Sequence, residues 1–208
     1  MSVPKSPFTL AHWRREISGL YANVRRAPVN GRSQACKRFR ASRDALFIEH
    51  EDSPIEADQR SRFPGLKYFA YDPAWRILGA IDRNVQNNNF EVDLGSDGLM
   101  KYTRIARVQF SLWGQIASLS VFWINGYGGG LFLPFNDGTN GRSTFGGGRY
   151  LYDTIKGADL GFGSTDMVLD FNYAYNPSCA YDEQWVCPLP PPENRLAFDV
   201  LAGEQNPW

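Results

Sequence analysis

The chain is poor in the side chains that carry most metal and nucleophilic chemistry. Of 208 residues only two are histidine, His12 and His50, and three are cysteine, Cys36, Cys179 and Cys187. No Cys-x-x-Cys and no His-Glu-x-x-His spacing occurs, so no zinc or iron centre is expected. No Gly-x-Ser-x-Gly elbow occurs either. A Ser-His-Asp or Cys-His centre would have to borrow His12 or His50 from the N-terminal region, and nucleophilic catalysis therefore has little support.

Long hydrophobic runs are missing too. Without an apolar run of 18 residues no transmembrane helix is expected. The start, MSVPKSPFTLAHWRREI, has no apolar signal core and no small-residue cleavage pattern. Three cysteines fit a reducing compartment better than a disulfide scaffold. The reading is a soluble cytoplasmic protein with no membrane partner. Cys179 and Cys187 lie eight positions apart in a Pro-rich loop and can approach each other. Structural thiols stand ahead of a disulfide there, and a disulfide ahead of a metal site.

Net charge is absent, since 22 Lys/Arg balance 22 Asp/Glu. The balance is uneven along the chain. Residues 1–43 hold ten Lys/Arg against one acid, Glu16, and the remainder is acidic by the same margin. A basic head on an acidic body is expected to dock within the molecule. Meeting an anionic partner, or standing as a solvated basic face, is the alternative. A total of zero disfavours nucleic acid as a partner.

Aromatics, by contrast, are plentiful: 6 Trp, 10 Tyr and 14 Phe supply large contact areas for a core or a pocket. Leu10, Trp13, Ile17, Leu20, Tyr21 and Val24 recur at helical steps. Pro28 and Asn30-Gly31 end that helix. A second helix is expected from about Ser33 to Glu49, with Phe39, Leu46 and Phe47 inward. Ser53-Pro54-Ile55-Glu56 reads as a capping box that starts a short helix ending near Phe63-Pro64-Gly65. Residues 1–62 are thus a helical head packed on a sheet, and 63–208 an antiparallel β domain with a long ordered C-terminal loop.

After Gly65 the period changes to two. Asp97-Gly98, Asn125-Gly126, Asp137-Gly138 and Asn140-Gly141 read as turns between strands. In 100–112 the row Met100, Tyr102, Arg104, Ala106, Val108, Phe110, Leu112 shares one face. In 116–124 Ala117, Leu119, Val121 and Trp123 share another. Further strands are expected near 67–71, 75–81, 89–94, 130–135, 148–154, 166–173 and 196–202. The fold class is mainly β, an antiparallel barrel or curved sandwich of about eight to nine strands with an N-terminal helical segment.

The run RSTFGGGRYLYD, 142–153, lacks the Lys-Ser/Thr of a phosphate loop and the spacing of a dinucleotide fingerprint. Gly146, Gly147 and Gly148 read as a tight bend entering a strand. DGTNGRST, 137–144, fits a calcium hand poorly, and Asp137 and Asn140 are expected to hold turns. Polar residues interrupt faces that should be apolar. If Arg104, Arg149, Asp170 and Asn172 point inward they must be paired. An Arg–Asp pair lined by aromatics can bind a polar or anionic ligand and move protons. The alternative is that they form the polar face an antiparallel sheet normally shows to water. Asp170, Arg149 and Asn172 are the candidate catalytic residues. Arg104, Trp123, Tyr150, Tyr175, Asn176, Glu193 and Asn194 are the candidate ligand contacts. No metal and no cofactor are expected.

The runs LFLPFNDGTNGRSTFGGGRYL (131–151), LDFNYAYNPSCAY (169–181) and CPLPPPENRL with AGE (187–196, 202–204) carry a further signal. With FRASRDALFIEHEDSPI (39–55) and FPGLKYFAYDPAWR (63–76), they resemble the family called domain of unknown function 1684, over roughly residues 38–204. The resemblance implies a bacterial or archaeal soluble protein of about this size. It groups Asp137, Thr139, Gly146 to Arg149, Asp170, Asn172, Asn176, Cys179, Cys187, Glu193 and Asn194 into one motif set, without naming a reaction. Phe145 departs from it, standing where a tyrosine is expected. The functional expectation is a small-molecule-binding β-barrel protein able to act as a metal-free acid/base enzyme on a polar or aromatic substrate. Its rival is a non-catalytic interaction module using the basic head, marked by an open apolar patch near Trp13 and Tyr21. A homodimer stays open.

Overall fold

In a computed structural model, which describes residues 6–95 and 98–207, Pro7 opens the first helix, α1 (Pro7–Arg26). Proline is suited to that position because the first N–H of a helix has no intrahelical partner. The helix buries Ile17 and Tyr21 and stops at Ala27, before Pro28. A single 3₁₀ turn, Val29–Gly31, leads into α2 (Arg32–Glu49). Phe39 and Phe47 are buried along α2, as is Arg43. Tyr21 meets Phe39 edge-on at 5.1 Å, and Phe39 meets Tyr173 at 4.9 Å, so an aromatic chain runs from α1 through α2 to the sheet side. Such pairs add about 0.5–1.5 kcal/mol each beyond their buried area.

The expected capping box does not start a helix at Ser53. Its Oγ accepts from Ile55 N at 3.2 Å and donates to Phe47 O at 2.6 Å. The hydroxyl is spent on closing the turn after α2, and only Ala57–Arg60 (α3) is helical.

Seven strands follow: β1 (Arg76–Asp82), β2 (Asn89–Asp93), β3 (Leu99–Leu112), β4 (Gln115–Ile124), β5 (Gly130–Phe135), β6 (Arg149–Asp153) and β7 (Asp166–Asp170). They form one antiparallel sheet in the order β6-β5-β4-β3-β1-β7, curled into a half-barrel. β3 is shared along one edge: Leu99–Thr103 pair with β2, and Arg107–Gln109 pair with β1. The β3–β4 hairpin turns through Trp113 and Gly114, both at positive φ, as a tight two-residue hairpin requires. The expected Asp97-Gly98 turn falls partly on Asp97, outside the described residues.

Two expected strands are absent among the described residues. Segment 67–71 makes one bridge, Tyr68 to Glu204, and 196–202 makes none. The reason is local competition for backbone groups. The carbonyls of Val200, Ala202 and Glu204 accept from Arg149, and that of Phe69 accepts from Arg40. With so many of these carbonyls turned toward guanidinium groups, pairing beyond a single bridge does not develop. β7 likewise ends at Asp170, whose carboxylate accepts Asn172 N and closes a 3₁₀ turn over Phe171–Tyr173.

The inward row of β3 is as the alternation implies: Tyr102, Arg104, Ala106, Val108, Phe110 and Leu112 are buried. β4 breaks its alternation. The register slips between Arg104 and Ala106, and Val121 and Phe122 are buried in succession. Trp123 is thereby turned outward, 41% exposed, instead of lying on the inner face.

The main core joins Ile17, Tyr21 and Phe39 of the helices to Leu119, Leu133, Leu151 and Leu169 of the sheet. A second cluster ties Phe47, Ile55 and Phe63 to Tyr181 of the C-terminal loop. The face near Trp13 and Tyr21 is therefore covered rather than open. Charge follows the same direction, since Arg25 pairs with Asp159 at 3.3 Å and Arg43 with Glu204 at 2.7 Å.

Candidate functional site

Phe145 to Gly148 form the bend that starts β6, closed by Gly148 N donating to Phe145 O at 3.1 Å. Gly148 sits at φ +90, and a Cβ there would come within 2.6 Å of Pro190 and 2.9 Å of Phe135 O. The glycines thus serve close packing of backbone against the Pro-rich loop. The bend delivers Arg149 to the interior, with 0% exposure. Its partners are not Asp170 and Asn172. Nη2 donates to Asp137 Oδ2 at 2.8 Å and to Val200 O at 3.0 Å; Nη1 donates to Ala202 O at 2.5 Å and Glu204 O at 3.0 Å. Burial pulls its pKa below the ordinary value, and Asp137 opposes that shift. Asp137 Oδ1 holds Thr139 N and Oγ1 as well as Val200 N. Arg149 is a structural hub with both terminal nitrogens already engaged.

A second interior pair was not foreseen. Arg43 Nε meets Glu204 Oε1 at 2.7 Å, with the guanidinium over the rings of Phe47 and Tyr175. Glu204 Oε2 accepts from Tyr181 Oη at 2.7 Å and Asn176 N at 2.8 Å. Burial opposes the Arg43 charge, but Glu204 and the surrounding phenols outweigh it, and the net shift is upward. The only sequence signal was position: Arg43 in a basic head and Glu204 in the AGE run.

The remaining expected contacts scatter. Arg104 donates from Nη1 to Glu193 at 3.2 Å and from Nε and Nη2 to Gln86 O, so these two candidates do meet. Asn194 is a strut: Oδ1 takes Ser120 N at 2.7 Å, and Nδ2 serves Ser120 O and Pro134 O. Asn176 binds Gln205 O at 2.8 Å. Tyr150 Oη donates to Pro188 O at 2.5 Å and packs edge-on against Tyr175. Most are engaged within the fold, although the buried Tyr175 Oη and Asn176 Oδ1 have no hydrogen-bond partner among the described residues, and Trp123 faces outward.

Asp170 and Asn172 lie together elsewhere. Asn172 Nδ2 donates to Asp170 Oδ1 at 2.9 Å and to Asp72 O at 2.8 Å, while its Oδ1 accepts Asp72 N at 3.0 Å. Register places Arg76 of β1 opposite Asp170. Their charges approach to 3.8 Å. Asp170 is 3% exposed, and desolvation raises its carboxyl to about 6, against hydrogen bonds from Asn172 and the fields of Arg76 and Arg32. It forms part of the wall of a cleft of about 250 Å³ between the α1–α2 corner and strands β1 and β7. Arg25, Arg32 and Arg76 also line it, with Asp166 and Phe162. Arg32 has no hydrogen-bond or ion-pair partner among the described residues. In this cleft Arg25 is held by Asp159, while Arg32 and Arg76 keep donors that no hydrogen bond among the described residues takes up. No sequence signal marked Arg32 or Arg76, because they come from a helix start and a strand start far apart in the chain.

Among the described residues, no group of three His, Cys, Asp or Glu is placed to hold a metal ion. No helix of these residues is long and apolar enough to cross a membrane.

No curated protein matches the chain. A solution NMR structure of an uncharacterized protein from Haloarcula marismortui is similar at 33% identity and a TM-score of 0.59, covering 83% of this chain and 92% of that one. The family model "Protein of unknown function (DUF1684)" matches residues 61–205, beginning after the 39–55 run that also carried the resemblance. With most of its length matched, the chain belongs to the family of proteins of unknown function DUF1684.

Proposed function

We propose that the protein binds a compact organic anion in the Arg25–Arg32–Arg76 cleft, with Asp170 able to exchange a proton with it. The observation that carries this reading is the contrast in donor use: the terminal nitrogens of interior Arg149 are engaged, whereas Arg32 has no hydrogen-bond or ion-pair partner among the described residues and Arg76 has only a 3.8 Å approach to Asp170. A guanidinium fork suits carboxylate or phosphate oxygens. The cleft, at about 250 Å³, is just below the roughly 300–1,000 Å³ usual for drug-sized ligands, so its occupant is small.

Asp170 competes with such an anion when charged and favours it when neutral. The groups facing Asp170 are Arg76 of β1, Arg32 and Cys36 of α2, Tyr71, Asn172 and Tyr173. Binding is expected to strengthen as pH falls through about 6. A carboxyl titrating there is also suited to general acid/base work on the bound molecule.

Calorimetric titration with small carboxylates and phosphate monoesters, below and above pH 6, tests the reading. Arg32→Ala and Arg76→Ala should each weaken binding about tenfold or more, the loss of roughly one charge-assisted contact. Binding that ignores both substitutions, or no binding by any anion of the panel, sinks it.

A further inference from the structure

The loop that follows β7 carries a second arrangement, independent of the cleft. Its ends are anchored: Asn176 by Glu204 and Gln205, and Pro188 by the Tyr150 hydroxyl. Between them Trp185 Nε1 reaches Pro54 O at 3.3 Å. The anchoring folds the loop back so that Cys179 N donates to Cys187 Sγ at 3.3 Å. The Cys179 thiol and the backbone of Ser178 also point at that sulfur, with Lys156 adding a positive field. Both cysteines are partly exposed, and both are free thiols. Cys187 is half-buried, between the exposed Val186 and the buried Pro188. Cys36, in contrast, is sealed in the core at 1%.

We propose that Cys179 and Cys187 form a two-thiol redox site that reduces small accessible disulfides, with Cys187 the attacking sulfur and Cys179 the resolving one. In the first step Cys187 thiolate attacks one sulfur of R–S–S–R. A mixed disulfide forms on Cys187 and RS⁻ leaves. In the second step Cys179 loses its proton and attacks Cys187 Sγ. The internal S–S bond forms, and the second RS⁻ leaves and is protonated. Two protein thiols are oxidised by two electrons, and the small disulfide is reduced to two thiols. The division of labour follows from the donors. Those gathered on Cys187 hold its pKa down to about 6, whereas the hydrogen bond that the Cys179 thiol donates to it keeps that proton on and pushes Cys179 far up.

The test is incubation of the reduced protein with oxidised glutathione, read by intact mass and peptide mapping. The expected product has lost two hydrogens, carries a Cys179–Cys187 crosslink and leaves Cys36 unmodified. Cys179→Ser should trap one glutathione on Cys187. Cys187→Ser should react at Cys179 about tenfold or more slowly, in line with thiolate control of the rate. Stable adducts on both cysteines without an internal bond, no reaction of the unsubstituted protein, or equal rates in the two variants would overturn the proposal. The crosslink map of the unsubstituted protein stands whether or not either variant folds.

Discussion

Arg149 and Arg32 are the same residue put to opposite uses. Arg149 lies in the interior and gives four hydrogen bonds, one to a carboxylate and three to carbonyls of the C-terminal segment. Arg32 opens α2 beside the cleft and gives none among the described residues. Charge alone does not mark a binding residue. What matters is whether its donors are already satisfied by the fold, because an unengaged guanidinium in a cleft gains more from a ligand than an engaged one.

The largest expected effect breaks the interior side of this contrast. Arg149→Met leaves Asp137 charged and buried, and should cost about 3–5 kcal/mol in urea unfolding. Adding Asp137→Asn should return part of that loss, since removing both members of a buried pair is far milder than removing one. Recovery of nothing would mean that the carbonyls, not the ion pair, are what Arg149 holds.

Gly148→Ala should come next, at about 1–3 kcal/mol, because a side chain at φ +90 is strained and meets Pro190 and Phe135. Thermal melting reads this directly. A loss no greater than that of an ordinary surface substitution would show that the bend can relax.

Asp170→Asn sharpens the cleft side. With the carboxyl raised from 3.8 to about 6, the folded protein holds a proton that the unfolded chain has released within that window. Stability should therefore fall as pH rises through it and level off above. Asparagine keeps an acceptor for Asn172 and has no proton to lose, so the slope should flatten in unfolding curves taken across the window. The smallest effect belongs to the surface: Lys101→Ala removes a half-exposed pair with Glu91 and should change stability by about 0–1 kcal/mol.

Much of the fold was readable because burial follows period. The α1 stripe and the inner row of β3 are plain alternations of apolar and polar residues, and Arg104 stood out as an interruption that needed a partner. The bulge beside Ile105 has no such signature, so Trp123 was placed on the wrong face. Segment 196–202 has strand-like composition, yet its carbonyls are claimed by a guanidinium some fifty positions earlier. Local pattern cannot reveal that. The candidate site was half legible: Asp170 and Asn172 were chosen as polar residues on a strand face, but Arg149 was given to the wrong carboxylate. Asp137, only twelve residues away and read as a turn residue, is its partner. The cleft arginines went unseen because only tertiary packing brings α1, α2 and the β1–β7 edge together.

The tie between Arg43 and Glu204 has a consequence for kinetics. It joins residues 161 positions apart. Closing so long a loop costs entropy that must be met before the contact returns anything, so this tie is expected to form after the folding barrier. An interaction absent from the transition state acts on the way out rather than the way in. Glu204→Gln should then speed unfolding in stopped-flow traces while leaving refolding nearly unchanged. The glutamate would set how long the fold lasts once made, and have little say in how fast it is reached.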